Sequence, residues 1–230
     1  MNTHREKQIE IIQVIEEQVR ADSLQATTVI PVADFENDDR ICLTSVHFPA
    51  ESFTDTVLQT ITEPLRKLFP GTYCYPKESL HFTIKNIRVI ANPPSFTEED
   101  VQKAIHIFEQ VVPQHTSFRI CPYKLLVFKN NLALICTTDE ELDRLILELD
   151  TKLSLSGIPD NKRYANSRYF FCNMTLMRFA LPPPESFLEK VKELSDNLPV
   201  SEYTIDSVNL LTGNAAMKKL QVQGEWKLRG

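Results

Sequence analysis

Long apolar runs are missing from this sequence, and so are closely spaced cysteine pairs. No segment approaches the roughly 18 consecutive apolar residues of a membrane-spanning helix, and the opening MNTHREKQIE is charged rather than apolar. The five cysteines are an odd number and form no Cys-x-x-Cys pair, which argues against a disulfide framework or a zinc site. We therefore expect a protein of the reducing cytoplasm, with no signal peptide, no membrane partner and no bound metal.

Positive charge is also scarce. The chain has 25 lysines and arginines against 31 aspartates and glutamates, a net charge of −6, which argues against a long nucleic-acid duplex as partner. A short RNA end or a nucleotide needs only a local basic patch. The balance turns positive around residues 77–88 and 162–178. These charges indicate either a phosphate-binding cleft or solvated residues at strand ends.

The pattern of apolar residues divides the chain into an N-terminal segment, 1–39, and one larger domain, 40–230. Isoleucines and a valine at near-helical spacing predict an amphipathic helix over 4–20, and the polar stretch 21–39 reads as a connection. We expect this helix and linker to pack on the larger domain. An apolar fraction of 42% over 230 residues is enough for a substantial core.

Within 40–230 the predicted elements occur in a repeated order. A strand, a helix and a second strand cover 41–90, with Pro64 expected to kink or split the helix, and a similar series covers 118–179. Further helices are predicted near 97–112 and 185–196, and a final hairpin runs through 208–226. The order indicates an internal duplication by pattern rather than by residue identity.

Two tetrapeptides close the repeated units. His81-Phe82-Thr83-Ile84 and Asn173-Met174-Thr175-Leu176 each lie in an apolar, strand-like run, about 90 residues apart. Since side chains alternate along a strand, His81 and Thr83 share one face, and so do Asn173 and Thr175. Two matched polar pairs on two strands suggest opposite walls of one cleft.

These tetrapeptides resemble the paired His-x-Thr-x signatures of the 2H phosphoesterases, a superfamily that includes RNA 2′,3′-cyclic phosphodiesterases similar to bacterial 2′-5′ RNA ligases. HFTI matches in full, whereas NMTL has asparagine in place of histidine. The likeness extends over roughly residues 40–226. It implies an α+β fold of two lobes, with duplicated antiparallel sheets flanked by helices around a central cleft.

The resemblance also implies a site and a reaction. His81 would act as a general acid or base, and Thr83 and Thr175 would hydrogen-bond the phosphate, with no cofactor or metal. The implied partner is a nucleotide or RNA terminus that carries a 2′,3′-cyclic or 2′-5′ phosphodiester. We expect the protein to be a monomer.

Asn173 departs from the signature. An amide forms hydrogen bonds but does not ionise at accessible pH, so it cannot shuttle a proton. Two hypotheses therefore stay open: a phosphoesterase slowed or altered by Asn173, in which the asparagine orients water or polarises the phosphoryl group, and a binding module that recognises a nucleotide or RNA end without turnover. The sequence selects no base or chain length.

Four further residues are candidates for substrate binding. Lys85 follows Thr83 on the same predicted face, Tyr169 shares the parity of Asn173, and Arg168 is one of three arginines of which at least one should reach the cleft, with Arg163 and Arg178. His47 is the first candidate to replace the missing proton shuttle. Each has an ordinary structural alternative: a solvated strand end for Lys85 and His47, and a core position for Tyr169. His81 itself is otherwise a satisfied structural histidine.

Overall fold

The computed structural model describes residues 3–230. The strands are β1 (Ile41–His47), β2 (Tyr73–Cys74), β3 (Phe82–Ala91), β4 (Phe118–Val127), β5 (Asn131–Thr138), β6 (Cys172–Arg178), β7 (Tyr203–Ile205), β8 (Ser207–Gly213) and β9 (Leu220–Lys227). The helices are α1 (His4–Arg20), α2 (Glu51–Val57), α3 (Glu63–Leu68), α4 (Glu98–Val111), α5 (Glu141–Leu155) and α6 (Glu185–Asp196).

The strands form two antiparallel sheets, one in each lobe. The first sheet has the order β3-β1-β8-β9 and the second the order β2-β6-β5-β4-β7. The strand that follows each repeated helix, β3 or β6, carries one of the two tetrapeptides. The predicted α+β architecture, with two lobes built on antiparallel sheets, is therefore confirmed.

The helices begin and end where local chemistry favours it. Thr97 and Asp100 form a capping box at the start of α4, and Thr3 and Glu6 form one at the start of α1. A π-helical turn, Leu58–Thr62, separates α2 from α3, and Pro64 follows it as the second residue of α3. Because proline has no N–H, it cannot bond to the turn before it. None of the helices within residues 3–230 is long and apolar enough to cross a membrane.

The main core lies between the sheets and the helices that cover their outer faces. The apolar side chains that alternate with the polar signature residues point into this core. They are Phe82 and Ile84 in the first lobe and Met174 and Leu176 in the second, and all four are buried. Their burial turns His81, Thr83, Asn173 and Thr175 to the opposite, inner faces.

A β-bulge interrupts each signature strand at an equivalent place. In the first lobe Val46 pairs with Thr83 but Ser45 pairs with Lys85, so β3 has one extra residue at this point. In the second lobe Ala133 pairs with Thr175 but Leu132 pairs with Met177, so β6 also has one. A bulge reverses the parity of the residues that follow it, up to the next irregularity in the strand. Consequently the next inward-facing residue after each threonine lies three positions on, not two.

Helix α1 packs against the inner face of the second sheet. Ile12 and Ile15 are buried there against Leu126, Ala133 and Ile135, in a cluster separate from the main core. The side chain of Gln8 ties the helix to the sheet, because its Nε2 donates to the Thr138 hydroxyl at 2.8 Å and its Oε1 accepts from the Thr138 backbone N–H at 2.9 Å.

Candidate functional site

A cavity of about 260 Å³ opens between the two lobes. Its walls include His81 and Thr83 from the first lobe and Asn173 and Thr175 from the second. The two polar pairs thus face one space, as strand parity predicts. A smaller cavity of about 110 Å³ adjoins it and shares Thr83 and Asn173.

His81 is held in one orientation by the backbone. Its Nδ1 lies 2.8 Å from the carbonyl oxygen of Ser79, and since a carbonyl only accepts, Nδ1 carries the proton. Nε2 is then a lone-pair acceptor, and it has no hydrogen-bond partner among residues 3–230. Burial lowers the pKa of His81 to about 4, and the nearby positive charge of Arg178 acts in the same direction. His81 is therefore a neutral base at neutral pH.

The other signature residues offer unpaired hydrogen-bond donors. Within the described chain the hydroxyls of Thr83 and Thr175 and the amide of Asn173 make no hydrogen bond, and all three side chains are only half-buried. Asn86, which follows the first bulge, also lines the cavity, and its side-chain oxygen accepts from the Thr44 hydroxyl at 3.3 Å. Its NH₂ group is left to face the space.

Arg178 is the counterpart of Asn86 in the second lobe. It lies three residues after Thr175, beyond the bulge, and lines the cavity although it is only 9% exposed. Its Nε donates to the Tyr75 hydroxyl at 2.8 Å, and its guanidinium lies over the rings of Phe35 and Tyr75 at 5.7 Å. It has no carboxylate partner within residues 3–230. A buried guanidinium without a counter-ion is suited to bind an anion.

Two more cations reach the cavity from the loop before β6. Lys162 is half-buried beside the ring of Tyr164, and desolvation lowers its pKa to about 8, with a contribution from the charge of Lys85. Arg163 donates to the side-chain oxygen of Gln25 at 2.6 Å. Among the described residues that line the cavity there is no aspartate or glutamate. The cavity is therefore electropositive in a protein whose net charge is −6.

Lys85 does not reach the cavity, contrary to the sequence-based prediction. The bulge between Thr83 and Lys85 turns its side chain to the outer face, where it is 1% exposed. There its ammonium forms ion pairs with Asp160 and with Asp150, the latter at 2.7 Å, and contacts the Tyr164 hydroxyl at 3.3 Å. Lys85 thus anchors the loop that delivers Lys162, Arg163 and Tyr164 to the cavity.

We expect the Lys85→Met variant to lose roughly 3 kcal/mol of unfolding free energy, because the buried carboxylate of Asp160 would lose its direct ion pair. Lys103→Met is the matched control: its ion pair with Glu99 is exposed on α4, so its loss costs less than about 0.5 kcal/mol. Urea denaturation measures both. Equal stability of the two variants would contradict a structural role for the Lys85 ion pairs.

Tyr169 and Arg168 also lie away from the cavity. The parity argument that placed Tyr169 beside Asn173 is wrong, because β6 begins only at Cys172 and residues 167–169 form a bend. The Tyr169 hydroxyl accepts from the ammonium of Lys7 in α1 at 3.0 Å. Arg168 is exposed, with its guanidinium 5.4 Å from the centre of the Tyr169 ring.

His47 faces the core side of β1 and is not available as a second proton shuttle. Cleft-lining residues of β1 are at even positions, Cys42 and Thr44, whereas His47 has the opposite parity. Its Nδ1 donates to the Ser207 carbonyl oxygen at 2.9 Å and its Nε2 accepts from the Tyr203 hydroxyl at 3.1 Å. Burial lowers its pKa. Both ring nitrogens are thus satisfied within the fold.

The cysteines in and beside the cavity are not suited to act as nucleophiles. Cys42 lines it, but its thiol donates to the Gly213 carbonyl oxygen at 3.2 Å, and burial raises its pKa to about 11. Cys172, next to Asn173, is fully buried on the opposite face, where desolvation raises its pKa. Neither thiol forms the thiolate that a nucleophile requires near neutral pH.

Sequence reasoning did not identify Asn86, Tyr75 or Lys162 as individual members of the site. The charge balance around the second signature pointed to Arg178 only as one of three arginines. The reason is the bulge in each strand. A bulge arises from the pairing of two strands, so the periodicity of either sequence alone does not reveal it. One regularity is visible in the sequence: Asn86 lies three residues after Thr83, and Arg178 lies three residues after Thr175.

Comparison with known proteins gives the fold but no close relative. No family model matches the sequence, and no curated protein matches it. Among solved structures, a conserved protein of unknown function from Agrobacterium tumefaciens is 14% identical, with 92% of this chain and 99% of that one covered and a TM-score of 0.59. TT0787 of Thermus thermophilus is 15% identical, with 83% and 98% covered and a TM-score of 0.55.

E. coli LigT in its apo form is 14% identical, with 84% of this chain and all of that chain covered and a TM-score of 0.53. Other structures of LigT hold phosphate or 3′-AMP. A structure described as a phosphoesterase aligns equally well, with 13% identity and a TM-score of 0.53. This chain therefore has the same two-lobed fold as LigT, TT0787 and the phosphoesterase structure.

Proposed function

We propose that this protein is a metal-independent phosphoesterase that opens a 2′,3′-cyclic or 2′-5′ phosphodiester of a nucleotide or RNA end. The observation that carries the proposal is the electropositive cavity. It joins a neutral, oriented histidine to unpaired hydroxyl and amide donors and to a buried arginine without a counter-ion. The complexes of LigT with phosphate and with 3′-AMP support the same class of ligand.

His81 takes the role of general base in this reaction. Its free Nε2 removes a proton from water, the water oxygen forms a bond to phosphorus, and the bond from phosphorus to the leaving ribose oxygen breaks. The negative charge that develops on the phosphoryl oxygens is stabilised by the hydroxyls of Thr83 and Thr175 and by the guanidinium of Arg178. Each of these groups lines the cavity.

Asn173 occupies the place where the second histidine of the signature would stand. It donates a hydrogen bond to a phosphoryl oxygen but supplies no proton, so the leaving oxygen takes its proton from solvent. The reaction is therefore slow compared with one that has two proton-transfer groups. The same observation favours the second candidate function, a module that binds a nucleotide or RNA end without turnover.

Substitution of Arg178 tests phosphate binding, which both candidate functions require. We expect Arg178→Met to weaken binding of inorganic phosphate by about tenfold or more, because it removes a charge-assisted contact. Titration calorimetry measures the affinity. Arg168→Met is the matched control, since that exposed arginine lies outside the cavity.

A turnover assay then distinguishes an enzyme from a binding module. It uses nucleoside 2′,3′-cyclic phosphates and 2′-5′ dinucleotides as substrates for the wild type and the two arginine variants. The assay is run with and without a chelator, and we expect no difference, because the proposed groups are His81 and neutral or cationic donors. Within residues 3–230 no three His, Cys, Asp or Glu side chains are grouped to hold a metal ion. Activity that requires an added divalent ion, or phosphate binding that is unchanged in Arg178→Met, would contradict the proposal.

A further inference from the structure

We propose that the N-terminal segment builds a subsite for a single planar heterocycle, of the size of a nucleobase, beside the anion-binding residues. The inference rests on the proposed function, because the heterocycle and the phosphate belong to one molecule in one cavity. Two parts of the segment contribute: helix α1, and residues 21–35, called the strap below. Both line the cavity that holds the signature residues.

An apolar wall forms one side of the cavity. Its side chains belong to the cluster in which α1 packs on the second sheet: Ile15, Leu24, Phe128, Ala133 and Phe171. Ala133 is the register partner of Thr175 on the neighbouring strand. The apolar wall therefore begins one strand away from a phosphate-binding hydroxyl, and one molecule can reach both.

The strap passes over the cavity from one lobe to the other. On the second lobe the Thr27 backbone N–H donates to the Arg163 carbonyl oxygen at 2.9 Å, and the Asn130 amide donates to the carbonyl oxygen of Val29. On the first lobe Phe35 is buried against Ala215 and Ala216. These anchors hold Leu24, Ala26, Thr27, Thr28 and Val29 against the cavity.

The composition of the wall favours an aromatic occupant. Phe128 and Phe171 are half-buried and both line the cavity, so two aromatic rings are available to contact a planar ligand. The side chain of Asn131 lines the same side and makes no hydrogen bond within the described chain. A free amide next to ring faces recognises the hydrogen-bonding edge of a base. Asn131 is also the register partner of Arg178, which places this amide beside the anion site.

The small volume of the cavity limits the occupant to one base. At about 260 Å³ it lies just below the roughly 300–1,000 Å³ that is typical of ligand pockets. Helix α1 packs on the inner face of the second sheet and the strap lines the cavity beside it, so protein fills this side of the cavity. The residues that determine specificity are thus those of the apolar wall and the strap, together with Asn131, and not those of the two signatures.

The test compares adenosine 3′-monophosphate with inorganic phosphate by titration calorimetry. We expect the wild type to bind the nucleotide at least about tenfold more tightly than phosphate. Ala26→Trp fills the apolar side and should weaken nucleotide binding by about tenfold or more, with phosphate affinity changed by less than about twofold. Ala21→Trp, the same substitution at an exposed position that does not line the cavity, is the control.

A second variant guards against a general effect of the bulky side chain. Leu24→Ser removes an apolar contact and should weaken nucleotide binding about threefold while phosphate binding is unchanged. Equal wild-type affinity for nucleotide and phosphate would overturn the inference alone, as would variants that weaken both ligands equally or neither. A trinucleotide bound more than about tenfold more tightly than the mononucleotide would overturn the limit to one base. Failure of the wild type to bind phosphate at all would instead overturn the proposed function, and this inference with it.

Discussion

The Asn173→His variant will hydrolyse a nucleoside 2′,3′-cyclic phosphate about 10²-fold faster than the wild type or more, because it restores a proton donor for the leaving oxygen. Asn173 faces the same cavity as His81, and its amide has no partner in the described chain that a histidine would displace. Binding of inorganic phosphate should change little. Steady-state kinetics and titration calorimetry measure the two effects.

The pH dependence of the gain identifies its cause. The variant needs one group deprotonated and the other protonated, so its rate profile should acquire a second, alkaline limb. Asn197→His is the matched control, since Asn197 is exposed at the end of α6 and lines neither cavity. His81→Gln in the Asn173→His background should abolish the gain. A variant that binds phosphate as before but is no faster would favour the binding module over the enzyme.

The single variant His81→Gln will lower whatever turnover the wild type has by about 10²–10⁴-fold, because glutamine keeps a polar group in place but cannot accept the proton. His106→Gln, on the exposed face of α4, is the control and should leave the rate unchanged. A wild type with brisk turnover that survives His81→Gln would assign the base to a different residue of the cavity.

The acid limb of the wild-type profile tests the environment of His81. Only the neutral imidazole acts as a base, so activity is lost as pH falls through its pKa. Because burial lowers that pKa to about 4, kcat/KM should be level from neutral pH down to about 5 and fall only below it. A limb centred near the ordinary histidine value of about 6.5 would show that the free enzyme keeps His81 solvated.

The faces of the signature strands follow from sequence alone. Alternation of apolar and polar residues over 81–84 and 173–176 is a local property, and burial of Phe82 and Met174 on one side fixes the position of His81 and Asn173 on the other. The repeated order of elements likewise predicts two lobes, because each strand, helix and strand unit must bury its apolar faces against another layer.

Tertiary structure alone decides which residues join the signatures. Simple alternation favours Lys85 two positions after Thr83, but the bulges bring Asn86 and Arg178 inward and bury Lys85 with Asp160. A bulge is a mismatch between paired strands, so the energy that selects it is shared between segments distant in sequence. The docking of α1 and the strap on the second sheet depends in the same way on surfaces that exist only after that sheet has formed.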